Sequence, residues 1–173
     1  LKVIKKKINK DKMVESINNC YKVGINSKAN IIFGFPEEKR RHVFESYYFM
    51  LRLAWAGVND VLVGTFSPYP GSAIFESLRK EGKITIDEKY FEDLAAQGSI
   101  DVMSCHTEHY TKTELYFFKM GGYSLFYISS LLMRPRRLYI FIRDLVTGIG
   151  TTRVSMGLIN IFSRWKQRRL STP

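Results

Sequence analysis

Apolar residues gather in two short runs, Ala29–Phe33 and Val61–Phe66, with charged stretches carrying apolar residues at helical spacing around them. Each run is rich in β-branched and aromatic residues and stops at Gly and Pro. That pattern predicts two strands buried on both faces. Before the first run, Asn9 offers a cap to a helix over roughly Asp11 to Val23, whose stripe is Met13, Ile17, Cys20 and Tyr21 and whose stop is Gly24. Between the runs, roughly Glu38 to Ala56 reads as a second helix. Its inner face is expected at Phe44, Tyr47, Tyr48, Leu51 and Trp55, with His42 on the solvated side. Helix, strand, helix, strand is a βα-type order, which predicts parallel strands and places any chemistry on the rim where they end.

Both rim segments are punctuated: Gly34-Phe35-Pro36-Glu37 after the first strand and Ser67-Pro68-Tyr69-Pro70-Gly71-Ser72 after the second. Glycine lets a ligand lie against the backbone, and two prolines around a tyrosine hold a stiff extended bend suited to the wall of a site. A helix over Ala73–Lys80 ends at Glu81-Gly82, and Lys83 to Ile86 runs into a polar, irregular connection. Cys105-His106-Thr107-Glu108-His109 has residue types that ligate metals, but a loop with one cysteine and no second pair reads as a surface loop or one lying over the strand ends. Thr111 to Glu114 has the form of a helix start, and Gly121-Gly122 is expected to break that helix. The longest uncharged run, Met120 to Met133, falls short of the ~18 apolar residues a spanning helix needs. Leu138 to Val146 and Val154 to Phe162 are further amphipathic stretches, closed by Arg164-Trp165-Lys166-Gln167-Arg168-Arg169.

Charge divides the chain. The net of +11 is +2 over residues 1–118 (17 Lys and Arg, 15 Asp and Glu) and +9 over residues 119–173 (10 against Asp144 alone). Basic residues interleaved with apolar ones suit an anionic membrane surface or packing against another part of the same polypeptide, and nucleic acid is not the expected partner. Two cysteines and no export signal argue for a cytoplasmic setting, peripheral on the inner face of the membrane if the tail binds lipid. Two domains are expected: residues 1–98, with the strands, and a basic helical extension over 99–173. Leu1 and the lysine-rich lead-in read as the middle of a longer polypeptide.

The rim segments resemble a family, the radical S-adenosylmethionine enzymes, and within it the branch with an upstream cobalamin-binding domain. The likeness rests on Val23-Gly24-Ile25, Ala29-Asn30-Ile31-Ile32-Phe33-Gly34-Phe35-Pro36-Glu37 and Phe66-Ser67-Pro68-Tyr69-Pro70-Gly71-Ser72. It covers residues 3–95 well and 111–143 more loosely. It implies an α/β fold: the last two strand-helix units of a partial (β/α)6 TIM-like barrel, followed by an α-helical C-terminal extension. In the family's G-x-I-x-G-x-x-E element, Ile32, Gly34 and Glu37 match and Asn30 replaces the first glycine. Ile32 and Gly34 would then lie against the adenine of S-adenosylmethionine, with Gly64 and Phe66 on the next strand, Val63 to Phe66, bordering the adenine or the methionine end and Pro68 and Tyr69 shaping the mouth. The resemblance implies reductive cleavage of S-adenosylmethionine at a [4Fe–4S] cluster to a 5′-deoxyadenosyl radical, with a reductant such as ferredoxin or flavodoxin. Cobalamin would serve methyl transfer or oxidative cyclisation on a small-molecule or lipid, or tetrapyrrole-like, substrate. The family's Cys-x-x-x-Cys-x-x-Cys loop is not in this sequence, so the ligands would lie outside the chain, which alone is expected to be inactive. None of its residues reads as an acid–base catalyst.

Two rival readings remain open at this level: another α/β-barrel enzyme, or a non-catalytic basic module binding anionic membrane or nucleic acid through residues 119–173. A phosphate-binding barrel needs free backbone N–H groups after its last strand, and Ser67-Pro68-Tyr69-Pro70-Gly71 has few.

Overall fold

The computed structural model describes residues 8–95, 105–150, 155–160 and 162–163. Among them the chain is mixed α/β and mostly helical, with one two-stranded parallel sheet. The order is α1 (Lys10–Lys22), β1 (Lys28–Phe33), α2 (Arg40–Ala56), β2 (Asp60–Thr65), α3 (Ala73–Lys80), α4 (Glu88–Ala95), α5 (Lys112–Met133) and α6 (Pro135–Thr147). The expected helix, strand, helix, strand order and the parallel pairing both hold, from Lys28↔Asp60 to Phe33↔Thr65. Local signals act where expected. The Asn9 side chain accepts from the N–H groups of Asp11 and Lys12, and Gly24 follows α1 at φ 78°. Thr111 and Glu114 close a capping box at the start of α5. The lysine-rich lead-in over 1–7, the proposed domain boundary at 98/99 and the Arg-Trp run over 164–169 lie outside the described residues.

One core joins the sheet to α2 and α5. It contains Phe33, Val43, Met50, Leu53, Ala54, Val58, Val61 and Val63 together with Tyr110, Leu115 and Phe126 from beyond residue 99. Val61, Val63 and Thr65 point into it, as alternate residues of a strand must. A smaller cluster, Phe75, Leu78 and Ile84, gathers under α3 and takes in Tyr90 of α4.

Four expectations are corrected. First, β1 is not buried on both faces: Lys28, Asn30 and Ile32 alternate outward, with Ile32 47% exposed, because among the described residues no element covers that side. Second, α2 turns a different face inward. Of the expected face Tyr47 does pack against the core, but Phe44, Tyr48 and Trp55 are exposed, Leu51 is half-buried, and Val43, Met50, Leu53, Ala54 and Ala56 are the buried positions. Third, Gly121-Gly122 does not break α5. A Cβ on Gly121 would lie 2.7 Å from the Tyr47 hydroxyl, and one on Gly122 would lie 3.5 Å from Met50 Cε, so these glycines are where α2 and α5 come together. The Tyr47 ring and flexible Met50 of α2 lie over this glycine pair, which gives them room against the α5 backbone. Fourth, the connection after Ile86 contains α4.

The glycine pair yields a contrast. Gly121→Ala displaces the Tyr47 hydroxyl, which donates to the Phe118 carbonyl at 2.7 Å, and is expected to destabilise by about 1 kcal/mol after the helix-propensity gain is counted. Gly122→Ala meets only ordinary contacts and is expected to be neutral or to stabilise by up to ~1 kcal/mol. Urea unfolding of the two variants reads the difference.

Candidate functional site

The rim is built by β1 and β2 ending side by side. Ile32 pairs in register with Gly64, so the two share one face of the sheet, the face that β1 leaves open. Beyond the pair, the Phe66 N–H donates to the Phe33 carbonyl at 2.7 Å, and the rings of Phe35 and Phe66 meet with centroids 4.4 Å apart. The structure thus brings Ile32, Gly64 and Phe66 together as a largely apolar ledge on which Ile32 is exposed, Phe66 half-exposed and Gly64 buried between them, and such a ledge suits a flat heteroaromatic base better than a charged group.

Gly34 lies at this rim but is buried, and φ 91° puts it in the left-handed region. Its N–H donates internally, to the Glu38 carboxylate and to the Tyr110 hydroxyl oxygen (3.0 Å). The Tyr110 hydroxyl in turn donates to the same Glu38 oxygen at 2.5 Å, and the Thr107 hydroxyl donates to the Glu38 backbone carbonyl at 2.9 Å. Glu38 is therefore the pin that holds the 105–110 loop over the end of β1. Glu37, carried over by the resemblance, is exposed. Sequence reasoning missed Glu38 and Tyr110. The only local signal was the pair of adjacent glutamates, and Tyr110 lies 72 residues from Glu38.

Pro68 is buried, and its carbonyl accepts from the Tyr90 hydroxyl at 2.6 Å, which ties the stiff bend to α4. Tyr69 is 53% exposed at the outer edge. Behind the bend lies a cleft of about 190 Å³ lined in part by Ser67, Cys105, His106 and Lys112. Ser67 is only 7% exposed, and neither its hydroxyl nor that of Thr65 has a hydrogen-bond partner among the described residues. Burial, helped by the Lys112 charge, pushes His106 below the ordinary value of 6.5, so its ring is neutral at pH 7. Burial also pushes the Cys105 thiol up, and the S–H donates to the Tyr110 carbonyl at 3.5 Å, so it is not a poised nucleophile. The His106 ring stands edge-on to Phe66, centroids 6.0 Å apart.

Among the described residues no group of three or more His, Cys, Asp or Glu side chains is placed to hold a metal ion. The residues present therefore do not fit a [4Fe–4S] cluster. Cys20 and Cys105 are both free thiols. A larger concavity, of about 580 Å³, sits on the exposed side of α2 among Lys10, Phe44, Tyr48 and Arg52, away from the strand ends.

The Tyr110 clasp has a pH signature. Burial, then the bond to the Glu38 carboxylate, raises the Tyr110 phenol above its ordinary value of 10. The folded chain thus holds this proton more tightly than the unfolded chain does. The resulting stability is complete below about pH 10 and is lost as pH rises beyond it. Tyr110→Phe is expected to cost ~1–3 kcal/mol at neutral pH and to flatten the alkaline fall in urea midpoint, leaving the shares due to Tyr127, which burial and Asp60 shift the same way, and to Tyr47 and Tyr90, which burial also raises.

A scan of family models and searches of curated proteins and of solved structures find no match for this chain.

Proposed function

We propose that this chain is the C-terminal portion of a radical S-adenosylmethionine enzyme and that the ledge of Ile32, Gly64 and Phe66 receives the adenine of the cofactor. The observation that carries the reading is the register Ile32↔Gly64, which sets the two segments of the resemblance level at one rim of a parallel sheet. The sheet's asymmetry supports it. The outer edge of β2 is closed by α5, where the Val63 N–H donates to the Tyr123 hydroxyl at 3.1 Å. The Phe33 carbonyl faces β2, so Lys28, Asn30 and Ile32 direct their backbone groups to the opposite edge, where no strand lies among the described residues. An open edge beside an open face is where further barrel strands would add.

The cluster's cysteines would come from elsewhere in the same polypeptide, and the chemistry it supplies when bound is reductive cleavage of S-adenosylmethionine. The part of these residues is narrower. Ile32 and Phe66 give the base a dry wall, Gly64 lets it approach the strand, and Glu38 fixes the rim through Gly34. With the Gly34 N–H already engaged, its backbone contributes shape and not a hydrogen bond. Cobalamin, a lipid or tetrapyrrole-like substrate and a ferredoxin or flavodoxin partner belong to the same proposal through the resemblance alone.

Ile32→Asp tests the ledge. Ile32 is half exposed, so the change leaves the fold intact, while a charge against the base weakens S-adenosylmethionine binding to the enzyme carrying this segment about ten- to a hundredfold. Unchanged binding, measured by equilibrium dialysis, would remove Ile32 from the site.

A further inference from the structure

Helix α6 is built inside out. The face it turns to the protein holds Arg137, Ile140, Phe141 and Asp144, of which Asp144 is fully buried. Arg137 donates to the Gly57 carbonyl at 2.8 Å and to the Ser130 hydroxyl. Asp144 accepts from Ser155 at 2.8 Å and pairs with Arg143 at 2.9 Å. At the start of the helix the Arg134 guanidinium lies 3.8 Å from the centre of the Tyr21 ring and donates to the Trp55 carbonyl. The helix is therefore held by polar and ionic contacts beside the half-buried Ile140 and Phe141.

Its solvent face is aliphatic. Leu138, Tyr139, Ile142, Leu145 and Val146 are 41, 68, 52, 36 and 81% exposed, and Ile149, just past the Gly148 cap, is 68% exposed. At helical spacing they fill one continuous stripe about 120° wide, lined along one edge by Arg136 and by Arg143, the partner of Asp144. Scattered exposed apolar residues are ordinary, but a full-length stripe opposite a polar anchor marks a surface that meets something other than water. Leu132, 76% exposed at the end of α5, extends the apolar surface.

Charge selects the occupant. From Arg134 to Pro173 there are nine Lys and Arg against one acid, Asp144, and that acid is buried and paired. An apolar stripe bordered by arginines, in the basic third of the chain, is complementary to an anionic lipid surface: the aliphatic side chains enter the acyl boundary while the guanidinium groups stay at headgroup level. No helix among the described residues is long and apolar enough to cross a membrane. We propose that α6 lies in the plane of an anionic membrane interface with the Leu138–Ile142–Val146 stripe embedded.

The test is sedimentation of the full 173-residue chain with vesicles of phosphatidylcholine, with and without phosphatidylglycerol. The chain is expected to partition into the phosphatidylglycerol vesicles and to be released by high salt. Ile142→Glu with Val146→Glu is expected to lower partitioning at least tenfold, and Arg136→Gln about fivefold, the worth of one basic residue at such a surface. Val146→Glu alone, at the most exposed position, keeps the test valid should the double variant fold poorly; circular dichroism reports on both. Equal partitioning of variant and wild type overturns the proposal, as does equal binding to pure phosphatidylcholine. So does a dimer that Val146→Glu dissociates without affecting vesicle binding, which would assign the stripe to a second copy of the chain.

Discussion

Glu38→Ala is expected to cost about 3 kcal/mol and to release the 105–110 loop from the end of β1. Glu38 is 8% exposed, and its carboxylate accepts from the Gly34 N–H and the Tyr110 hydroxyl while its backbone carbonyl accepts from Thr107. Hydrogen bonds to a charged group are worth ~1.5–3 kcal/mol each, and they share one acceptor here, so the total lies below their sum. The loss takes the acceptor from the buried Tyr110 hydroxyl and leaves the Gly34 N–H with its bond to that hydroxyl alone. Glu37→Ala, one residue away and exposed, is the control and is expected to stay within ~0.5 kcal/mol. Urea midpoints give the energies, and limited proteolysis reads the loop: cleavage near Thr107 to Tyr110 should appear in the Glu38 variant alone. Equal effects at the two glutamates would contradict the clasp.

Phe33→Ala is expected to be the most damaging single change, at about 3–5 kcal/mol, the usual range for truncating a buried aromatic. Phe33 is wholly buried where β1 meets the rim, its ring 6.1 Å from Tyr47 in an edge contact. Its carbonyl receives the Phe66 N–H, so a cavity beneath it loosens the sheet end that aligns Phe66. Against a total stability of ~5–15 kcal/mol, such a loss unfolds a large share of the molecules at physiological temperature. Phe44→Ala removes a ring of the same size from α2 but from an exposed position, and is expected to cost less than ~1 kcal/mol. Thermal unfolding by circular dichroism compares the two directly. If Phe44 costs as much as Phe33, the inner face of α2 lies where the aromatic stripe first suggested.

That comparison marks the line between what local sequence carries and what it does not. The strands were legible because Gly34, Pro36, Gly64 and Pro68 punctuate apolar runs too short for helices, and the starts of α1 and α5 because Asn9 and Thr111 are capping residues in the right frame. The face of α2 was not, because two stripes run along it: Phe44, Tyr48 and Trp55 on one side, Val43, Met50 and Ala54 on the other. Periodicity detects a stripe but does not say which one meets α5, and the decision depended on Gly121 and Gly122, some seventy residues on. Read locally, a glycine pair breaks a helix; read with its partner, it lets two helices touch. Helix α4 escaped notice because only Tyr90, Phe91 and Leu94 give its eight residues an apolar pattern. At the site, Ile32, Gly64 and Phe66 were legible as a rim because register follows from two strands of equal length ending at the same kind of turn. The Glu38–Tyr110 clasp was not, since a buried carboxylate and the phenol that meets it leave no trace in spacing.

The most direct test of the central claim is an anaerobic assay for 5′-deoxyadenosine on the product of the whole reading frame that contains this segment, with S-adenosylmethionine and a low-potential reductant. The account predicts 5′-deoxyadenosine, a three-cysteine cluster loop supplied from outside these 173 residues, and in Ile32→Asp about tenfold less product at limiting S-adenosylmethionine with unchanged cluster content. A product of that frame with no such loop, no iron and no 5′-deoxyadenosine would contradict it, and the two-stranded rim would then belong to another kind of α/β protein.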